Sequence, residues 1–229
     1  MATVADLKRR LAAGETVISV NPEGANADIV PALARLGADL LFVDCERTGI
    51  GLDKAGDLLV AARAAGLPSV VRSWSADPAV LVQFLDRKAG GLVVPHVETA
   101  ADAAAVVETV RFACGDGAAE RLVIVQIESR AGVDAIDEIA EVEGIDVFLI
   151  GPNDLGYSLT GRRGARTPEV AEAIDHVCAR LGAAGCRYGM PAPVAERDTF
   201  RRRGATFAYY SVNWILEHGC AEMNRAFGR

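Results

Sequence analysis

Short apolar runs alternate along the chain with segments whose apolar residues recur every three or four positions. Eight of the runs are continuous rather than alternating and are bounded by Gly, Pro or polar residues. Such runs are expected of strands that are covered on both faces. They are TVISV (16–20), LLFVD (40–44), PSVVR (68–72), GLVVP (91–95), LVIVQIE (122–128), VFLIG (147–151), RYGMP (187–191) and TFAYYS (206–211).

The segments between these runs carry the signals of helices, with Asp or Thr caps, early prolines and glycine stops. Those with the clearest signals are NADIVPALARLGA (26–38), DPAVLVQFLDRKAGG (77–91), TAADAAAVVETVRFA (99–113) and TPEVAEAIDHVCARLGAAG (167–185). Two glycine-containing segments, CGDGAAE (114–120) and TGRRGART (160–167), are predicted as loops. Roughly eight strand–helix units predict an α/β fold, a (β/α)₈ TIM barrel that forms a single domain over residues 1–229.

A doubly wound open sheet is the alternative fold. It normally has a glycine-rich phosphate turn after its first strand, and the sequence VNPEGAN (20–26) does not match the G-x-G-x-x-G pattern of that turn. We therefore favour the barrel.

Composition narrows the class of protein. Hydrophobic residues make up 51% of the 229, but no apolar segment is long enough for a membrane span, and the first ten residues do not resemble a signal peptide. A net charge of -7 and an aromatic content of 6% argue against nucleic acid as a partner. Five scattered cysteines without a C-x-x-C pair indicate reduced thiols rather than disulfides or a zinc site. We expect a cytoplasmic protein.

Polar residues follow most of the predicted strands. Because the active site of a barrel lies at the carboxyl ends of its strands, these residues are candidates for chemistry. They are Asp44, Glu46, Arg47, Arg72, His96, Gln126, Glu128, Gly151, Asn153 and Asp154. Strand periodicity lets Gln126 and Glu128 point the same way.

The residue types at these ends suit the formation of an enolate. Glu128 and Asp154 could jointly hold a hard cation such as Mg²⁺ or Mn²⁺, with water and substrate oxygens as the other ligands. Arg72 could bind a carboxylate or a developing oxyanion through its planar fork. A cation, an arginine and the amides of the GPND turn (151–154) are what a site needs when negative charge accumulates on one oxygen.

Each of these residues also has a purely structural interpretation. Asp44 could cap the next helix, Glu128 could pair with Arg130, and Asp154 could cap its own turn. Arg72 could be an ion-pair partner at the end of a strand. Their occurrence at successive strand ends favours a functional site over these separate explanations.

Longer matches extend over most of the chain, from about residue 5 to its end. They include FVDCE (42–46), VVRSWSADP (70–78), LVVPHVETAADA (92–103), IVQIESRAGVDAIDEIAEVEGIDVFLIGPNDLGYSL (124–159) and TPEVAEAI (167–174). With these motifs the sequence resembles the HpcH/HpaI aldolase family, the metal-dependent class II pyruvate aldolases.

The resemblance implies a (β/α)₈ barrel that assembles as a homo-oligomer, a hexamer or trimer, with exchanged C-terminal helices. It implies that Glu128 and Asp154 bind a divalent metal, Mg²⁺, Mn²⁺ or Co²⁺. By the same resemblance, Arg72 stabilises the enolate, Asp44 and Glu46 support the site, and Asp86 reaches into the active site of a neighbouring subunit. The residues implied to contact a pyruvate-like 2-oxo acid are Gln126, Gly151, Asn153 and Asp154.

Two departures from the family pattern affect the interpretation. The family motif D-x-E-H has its acid/base histidine where this chain has Arg47, and an arginine stays protonated and cannot serve as that base. We expect Arg47 to bind an anion in the catalytic site. His96 is a possible substitute, although we favour a structural role for it. The segment at 112–121 is shorter than in typical members, which leaves acceptor specificity and assembly open.

We therefore predict a metal-dependent carbon–carbon lyase, of aldolase type, that acts on a 2-oxo acid through a pyruvate enolate. The alternatives are an oxaloacetate-type decarboxylase or a condensing enzyme with the same site, a CoA-ester lyase like the citrate lyase β subunit, and a non-catalytic ligand-binding barrel. The sequence leaves open the acceptor aldehyde, the pathway and the preferred metal.

Overall fold

Eight parallel strands close into one barrel in the computed structural model, which describes residues 3–228. Each strand pairs with the next one in the chain, and the eighth pairs with the first to close the barrel. In this closing pair, Val17 lies beside Phe207 and Asn21 lies beside Ser211. The strands are β1 (Val17–Asn21), β2 (Leu40–Asp44), β3 (Ser69–Arg72), β4 (Gly91–Val94), β5 (Leu122–Ile127), β6 (Val147–Ile150), β7 (Tyr188–Pro191) and β8 (Phe207–Ser211). The predicted TIM barrel is confirmed, and the open sheet is wrong.

Helices surround the barrel. They are α1 (Val4–Ala12), α2 (Val30–Arg35), α3 (Leu52–Ala65), α4 (Pro78–Asp86), α5 (Ala100–Cys114), α6 (Arg130–Asp134), α7 (Ile136–Ala140), α8 (Pro152–Thr160), α9 (Pro168–Ala183), α10 (Arg197–Arg202) and α11 (Val212–Ala226). Short 3₁₀ helices lie at Ala27–Ile29, Gly115–Glu120 and Val194–Glu196. The segment at 114–120, predicted as a loop, is therefore largely a 3₁₀ turn that continues α5.

Helix starts follow the predicted caps. Thr99 forms a capping box with Asp102 at α5, and the side chains of Asp77 and Thr167 accept backbone N–H groups at α4 and α9. Proline occupies the first turn of both α4 and α9, where its missing N–H has no helical partner to lose.

The interior of the barrel is apolar at the amino ends of the strands and polar at the other end. Leu7 and Leu11 of α1 pack with Val17, Leu40 and Leu122, residues near the amino ends of their strands. Helix α1 thus covers this end of the barrel. The carboxyl ends stay accessible, and the buried polar residues Asp44, Gln126 and Glu128 lie there.

Helix α11 differs from the other long helices because almost all of it is exposed. Val212 is its buried residue, whereas Ile215, Leu216, Met223 and Phe227 are exposed at the end of the chain. A groove of about 460 Å³ lies between α11 and α2. Exchange of this helix between subunits stays a prediction. Over residues 3–228, no helix combines the length and the apolar character that crossing a membrane requires.

The cysteines are free thiols, as the sequence predicts. Burial raises the pKa of Cys45 and of Cys178 to about 12, so both side chains stay protonated and unreactive near neutral pH.

Candidate active site

Asp44 and Arg72 form a buried, two-point ion pair at the carboxyl ends of β2 and β3. Arg72 donates from Nε to Oδ1 of Asp44 at 2.9 Å and from Nη2 to Oδ2 at 2.6 Å. The pairing of these neighbouring residues in the sheet, Asp44 beside Arg72, brings the two side chains together. Burial alone would lower the pKa of Arg72, but the bonds to Asp44 and the nearby charge of Glu46 raise it, so the guanidinium stays charged.

Asp44 also organises the loop that follows β2. Its Oδ1 accepts the backbone N–H groups of Glu46 and Arg47, both at 3.1 Å, and its carbonyl accepts the hydroxyl of Thr48. The next helix begins only at Leu52, with Gly51 as its N-cap. Asp44 therefore caps a turn, and the interpretation of this residue as a helix cap is wrong.

Glu46 connects this ion pair to Arg47 and to His96, which follows β4. Its Oε2 lies 3.2 Å from Nε of Arg72, and its Oε1 lies 3.5 Å from Nε of Arg47 and 3.7 Å from Nε2 of His96. Three side chains from three different strand ends thus converge on one carboxylate. Glu46 is nearly buried, so these contacts are shielded from water.

Glu128 has the most deeply buried carboxylate of the site, with 0% of its side chain exposed against 3% for Asp44. Its Oε2 accepts a hydrogen bond from Nε2 of Gln126, a side chain that points the same way from β5. Its Oε1 accepts a hydrogen bond from the backbone N–H of His96 at 3.0 Å. Arg130 pairs with Glu169 instead, at 2.8 Å. The structural alternative that paired Glu128 with Arg130 is therefore wrong.

Gly151 makes room for this arrangement. A Cβ at this position would lie 2.6 Å from Oε2 of Glu128 and 2.9 Å from Nε2 of Gln126, closer than real contacts allow. Because no side chain fits here, the backbone after β6 lies directly against the two β5 side chains.

His96 is part of the site rather than buried packing. Its side chain is 57% exposed, and Nδ1 lies 3.2 Å from Oε1 of Glu128. The residue has a positive φ of 55°, which is uncommon for histidine and turns the ring toward the two glutamates. The structural role that we favoured for His96 does not account for this exposed ring between two carboxylates.

Asp154 lies on the first turn of α8, where two arginines contact the same oxygen. Nη2 of Arg47 is 2.8 Å and Nε of Arg163 is 3.1 Å from its Oδ1. At the preceding residue, the side-chain carbonyl of Asn153 accepts a hydrogen bond from Nη2 of Arg166 at 3.1 Å. This side of the mouth is therefore rich in guanidinium groups.

Tyr209 completes the inner wall near Arg72. Its hydroxyl accepts the amide of Asn21 at 2.8 Å, and its ring packs edge-on against Phe42 at 4.9 Å. Burial raises the pKa of Tyr209 to about 12, so the phenol stays protonated. Strand alternation in TFAYYS could have indicated that Tyr209 faces the same way as the buried Phe207.

The electrostatics of the site fit a bound cation. Burial raises the pKa of Glu128, His96 lowers it through its charge and its backbone N–H, and the negative charges of Glu46 and Asp154 raise it again. A divalent ion would offset the repulsion among these acids. In addition, Oε1 of Gln126 is buried and accepts no hydrogen bond from any residue between 3 and 228.

The donor set that the structure brings together joins Glu128 to Glu46 and His96, whose ligand atoms all lie within 4.8 Å of one another. Asp154, the partner that the sequence predicts for Glu128, raises the pKa of Glu128 through its charge, but its Oδ1 is in contact with Arg47 and Arg163. An ion shared by Glu128 and Asp154 therefore stays a prediction. Carboxylate oxygens suit Mg²⁺ or Mn²⁺, whereas the imidazole of His96 would favour a transition metal such as Mn²⁺ or Co²⁺.

The predicted site residues therefore gather at one end of the barrel, with one exception. Asp86 is exposed at the end of α4, five residues before β4 begins, and so lies toward the opposite end of this chain's barrel. Arg163 and Arg166 were missed because they belong to a segment predicted only as a loop.

Known proteins resemble this chain along nearly its whole length. The family profile described as HpcH/HpaI aldolase/citrate lyase matches residues 20–215. A hydroxypyruvate/pyruvate aldolase of Roseovarius nubinhibens is 30% identical, with 91% of each chain covered. A 5-keto-4-deoxy-D-glucarate aldolase of Salmonella gallinarum is also 30% identical, with 87% of each chain covered.

Two solved structures share the fold of this chain along nearly its whole length. An HpcH/HpaI aldolase/citrate lyase family protein from Burkholderia cenocepacia has a TM-score of 0.86 at 30% identity, covering 96% of this chain and 98% of its own. The citrate synthase SbnG has a TM-score of 0.84 at 26% identity, with 97% of each chain covered.

Proposed function

The chain belongs to the HpcH/HpaI aldolase/citrate lyase family and is a lyase of the aldolase type, and we propose that it makes or breaks a carbon–carbon bond next to a 2-oxo acid through the enolate of pyruvate. The observation that carries this proposal is the buried carboxylate of Glu128 at the barrel mouth. It is bonded to Gln126 and His96 and has two further acids nearby.

We propose that Glu128 and Asp154 hold a divalent metal ion, with Glu46 and His96 beside it. Such an ion, when bound, would polarise the keto group of the substrate and favour loss of a proton from the neighbouring carbon. The backbone amides of the turn after Gly151 would donate to the oxygens of the 2-oxo acid. Gln126, whose buried carbonyl oxygen is unbonded, would contact the substrate by accepting a hydrogen bond from a substrate hydroxyl group or from a bridging water.

Arg72 is proposed to stabilise the negative charge of the enolate. Asp44 binds Nε and Nη2, so the guanidinium is held in one orientation and Nη1 stays available to a substrate oxygen. A preorganised cation of this kind stabilises the transition state without having to move during the reaction. Asp44 acts through Arg72 as a positioning residue.

The proton of the aldol step must be accepted and returned by a group other than Arg47, whose guanidinium stays protonated in this pH range. Its contacts with Asp154 and Glu46 suit a binding role. We propose that a water molecule or a group of the substrate moves this proton.

Condensation is the second candidate function. The similarity to the citrate synthase SbnG favours it, because such a reaction also adds an enolate to a second carbonyl compound. Simple decarboxylation of an oxaloacetate-like acid would use the same enolate-stabilising residues and would need no acid/base histidine.

Exchange of the pyruvate methyl protons in deuterated water tests the proposal directly. With Mn²⁺ or Mg²⁺, the enzyme should catalyse exchange that is followed by NMR, and omission of the metal should abolish it. Absence of exchange with every divalent ion would contradict enolate chemistry and favour a non-catalytic barrel.

We also propose that the chain associates through α11, with its exposed apolar residues Ile215 and Leu216. Asp86 could approach an active site only in such an assembly, from a neighbouring subunit. Light scattering during size-exclusion chromatography would give the subunit number, and a monomer would remove the proposed role of Asp86.

A further inference from the structure

We propose that Arg163 and Arg166, together with Arg47, form a subsite for a carboxylate or phosphate at the far end of the second substrate. This inference rests on the proposed carbon–carbon lyase activity and specifies its substrate class. The second substrate would be an aldehyde, or another carbonyl compound, with a terminal anionic group.

The three arginines lie on the wall of one cleft that continues from the inner site. The cleft has a volume of about 650 Å³, which is large for a three-carbon acid alone, and Arg72 and Asp44 line it as well. Arg163 also lines the inner cavity together with Arg72 and Gln126. A ligand that extends from Arg72 outward would therefore pass these guanidinium groups.

Positive charge exceeds negative charge on this side of the cleft. Arg47 and Arg163 share a single oxygen of Asp154, Arg47 also lies 3.5 Å from Glu46, and the partner of Arg166 is the uncharged amide of Asn153. Each guanidinium carries five N–H donors, so most of them remain for a ligand. Glu23 and Glu196 are exposed acids that also line the cleft, but the ion pairs of these arginines do not involve them.

The loop that carries Arg163 and Arg166 is fixed to the first turn of α8. The backbone N–H of Gly164 donates to the carbonyl of Asn153 at 3.0 Å, and Arg166 donates from Nη1 to the carbonyl of Gly164 at 3.1 Å. Gly156 allows close packing, because a Cβ there would be 3.0 Å from backbone atoms of Ala165. The arginines therefore hold a defined position relative to the proposed substrate contacts Asn153 and Asp154.

Oxyanions are the ligands that such a group recognises. Guanidinium groups bind carboxylate and phosphate through paired, charge-assisted hydrogen bonds, and partly exposed pairs contribute less than buried ones. Arg163 is 55% exposed and Arg47 38% exposed, so the subsite should discriminate between substrates rather than hold one tightly.

The experiment compares matched aldehydes as acceptors for pyruvate. Glyceraldehyde 3-phosphate is compared with glyceraldehyde, and succinic semialdehyde with butanal, as the ratio of kcat/KM for the charged and uncharged member. We expect Arg166→Gln to lower this ratio roughly tenfold and the double variant R163Q/R166Q to lower it further. The aldehyde pair that responds more identifies phosphate or carboxylate as the preferred group.

Arg162→Gln is the matched control. Arg162 lies on the same loop and is exposed, but in the part of the chain that the structure describes it does not line the cleft. This variant loses the same charge and should leave the ratio as it is in the wild type. An equal change in Arg162→Gln and Arg166→Gln, or no change in either, would overturn the subsite.

A binding measurement separates this inference from the proposed function. Calorimetry compares 2-oxoglutarate with 2-oxopentanoate, two five-carbon 2-oxo acids that differ by one terminal carboxylate. The wild type should prefer 2-oxoglutarate, and Arg166→Gln should reduce that preference, whether or not turnover is observed. Equal affinities alongside normal pyruvate proton exchange would refute the subsite and leave the lyase intact.

Discussion

The two sides of the barrel mouth differ in charge, burial and support. The inner side carries the acids Glu46 and Glu128, which are nearly buried at the ends of strands or just beyond them. The outer side carries Arg47, Arg163 and Arg166 on loops, where they are partly or largely exposed. One site thus contains a region suited to holding a cation and another suited to binding an anion.

This difference separates chemistry from recognition. Strand register fixes the inner residues, as the pairing of Asp44 with Arg72 and the shared direction of Gln126 and Glu128 illustrate. Loop sequence can change at the outer residues without disturbing the barrel. Changes on the inner side should therefore affect the reaction with every acceptor, whereas changes on the outer side should alter the choice of acceptor.

The largest effect is expected for Glu128→Gln. This change removes a buried negative charge and keeps the shape of the side chain, so kcat/KM should fall about a thousandfold if Glu128 holds the metal. Mn²⁺ affinity should fall as well. Steady-state kinetics measure the loss of kcat/KM, and titration with Mn²⁺ measures the loss of metal affinity.

Glu169→Gln is its control, because Glu169 is an exposed glutamate that pairs with Arg130 away from the site. This variant should keep both activity and metal affinity. Unchanged Mn²⁺ affinity in Glu128→Gln would refute the role of Glu128 as a ligand, even if activity were lost.

The buried ion pair gives the second prediction. Asp44→Ala leaves the largely buried guanidinium of Arg72 without its partner, which should lower the free energy of unfolding by about 3 kcal/mol. Urea denaturation followed by circular dichroism measures the loss.

Asp137→Ala is a matched control for this pair. Asp137 binds Arg180 through the same two-point geometry, at 2.6 and 2.7 Å, but both side chains lie on the surface. Its removal should cost much less, because water screens exposed ion pairs. Equal losses in the two variants would mean that the Asp44–Arg72 pair has no special role in supporting the inner side.

The inner side was largely predictable from sequence, whereas the outer side was not. All eight strands were predicted to within about one residue, because buried parallel strands have continuous apolar runs with clear ends. Strand ends in a barrel must meet, so Asp44, Arg72, Gln126 and Glu128 could be grouped without coordinates.

The positions of Arg163 and His96 depend on tertiary structure. Arg163 reaches Asp154 because its loop folds back on α8, and a sequence pattern does not encode that packing. The ring of His96 is oriented by a positive φ and by a hydrogen bond from its own backbone to Glu128. The contact of Arg163 with Asp154 spans nine positions and that of His96 with Glu128 spans 32, and neither follows from the local pattern of residues.

Gly151→Ala gives the third prediction and tests how closely the inner side is packed. The added methyl group would displace Glu128 and Gln126, so kcat/KM should fall roughly tenfold to a hundredfold. Gly117→Ala adds the same group at a position with no atom within 4 Å and should have no such effect. Full activity in Gly151→Ala would show that these two side chains can move without consequence.

The smallest effect is expected for Arg47→Gln, on the boundary between the two sides. The guanidinium of Arg47 competes with a cation for Oδ1 of Asp154, at 2.8 Å, so its removal should tighten Mn²⁺ binding by roughly threefold to fivefold. Arg162→Gln removes an equal charge from a nearby loop and measures the long-range part of this effect. In an Asp154→Asn background, Arg47→Gln should no longer alter the affinity, because the contested carboxylate is gone. If Arg47→Gln tightens binding equally with and without Asp154, the ion is held by Glu46, His96 and Glu128 instead.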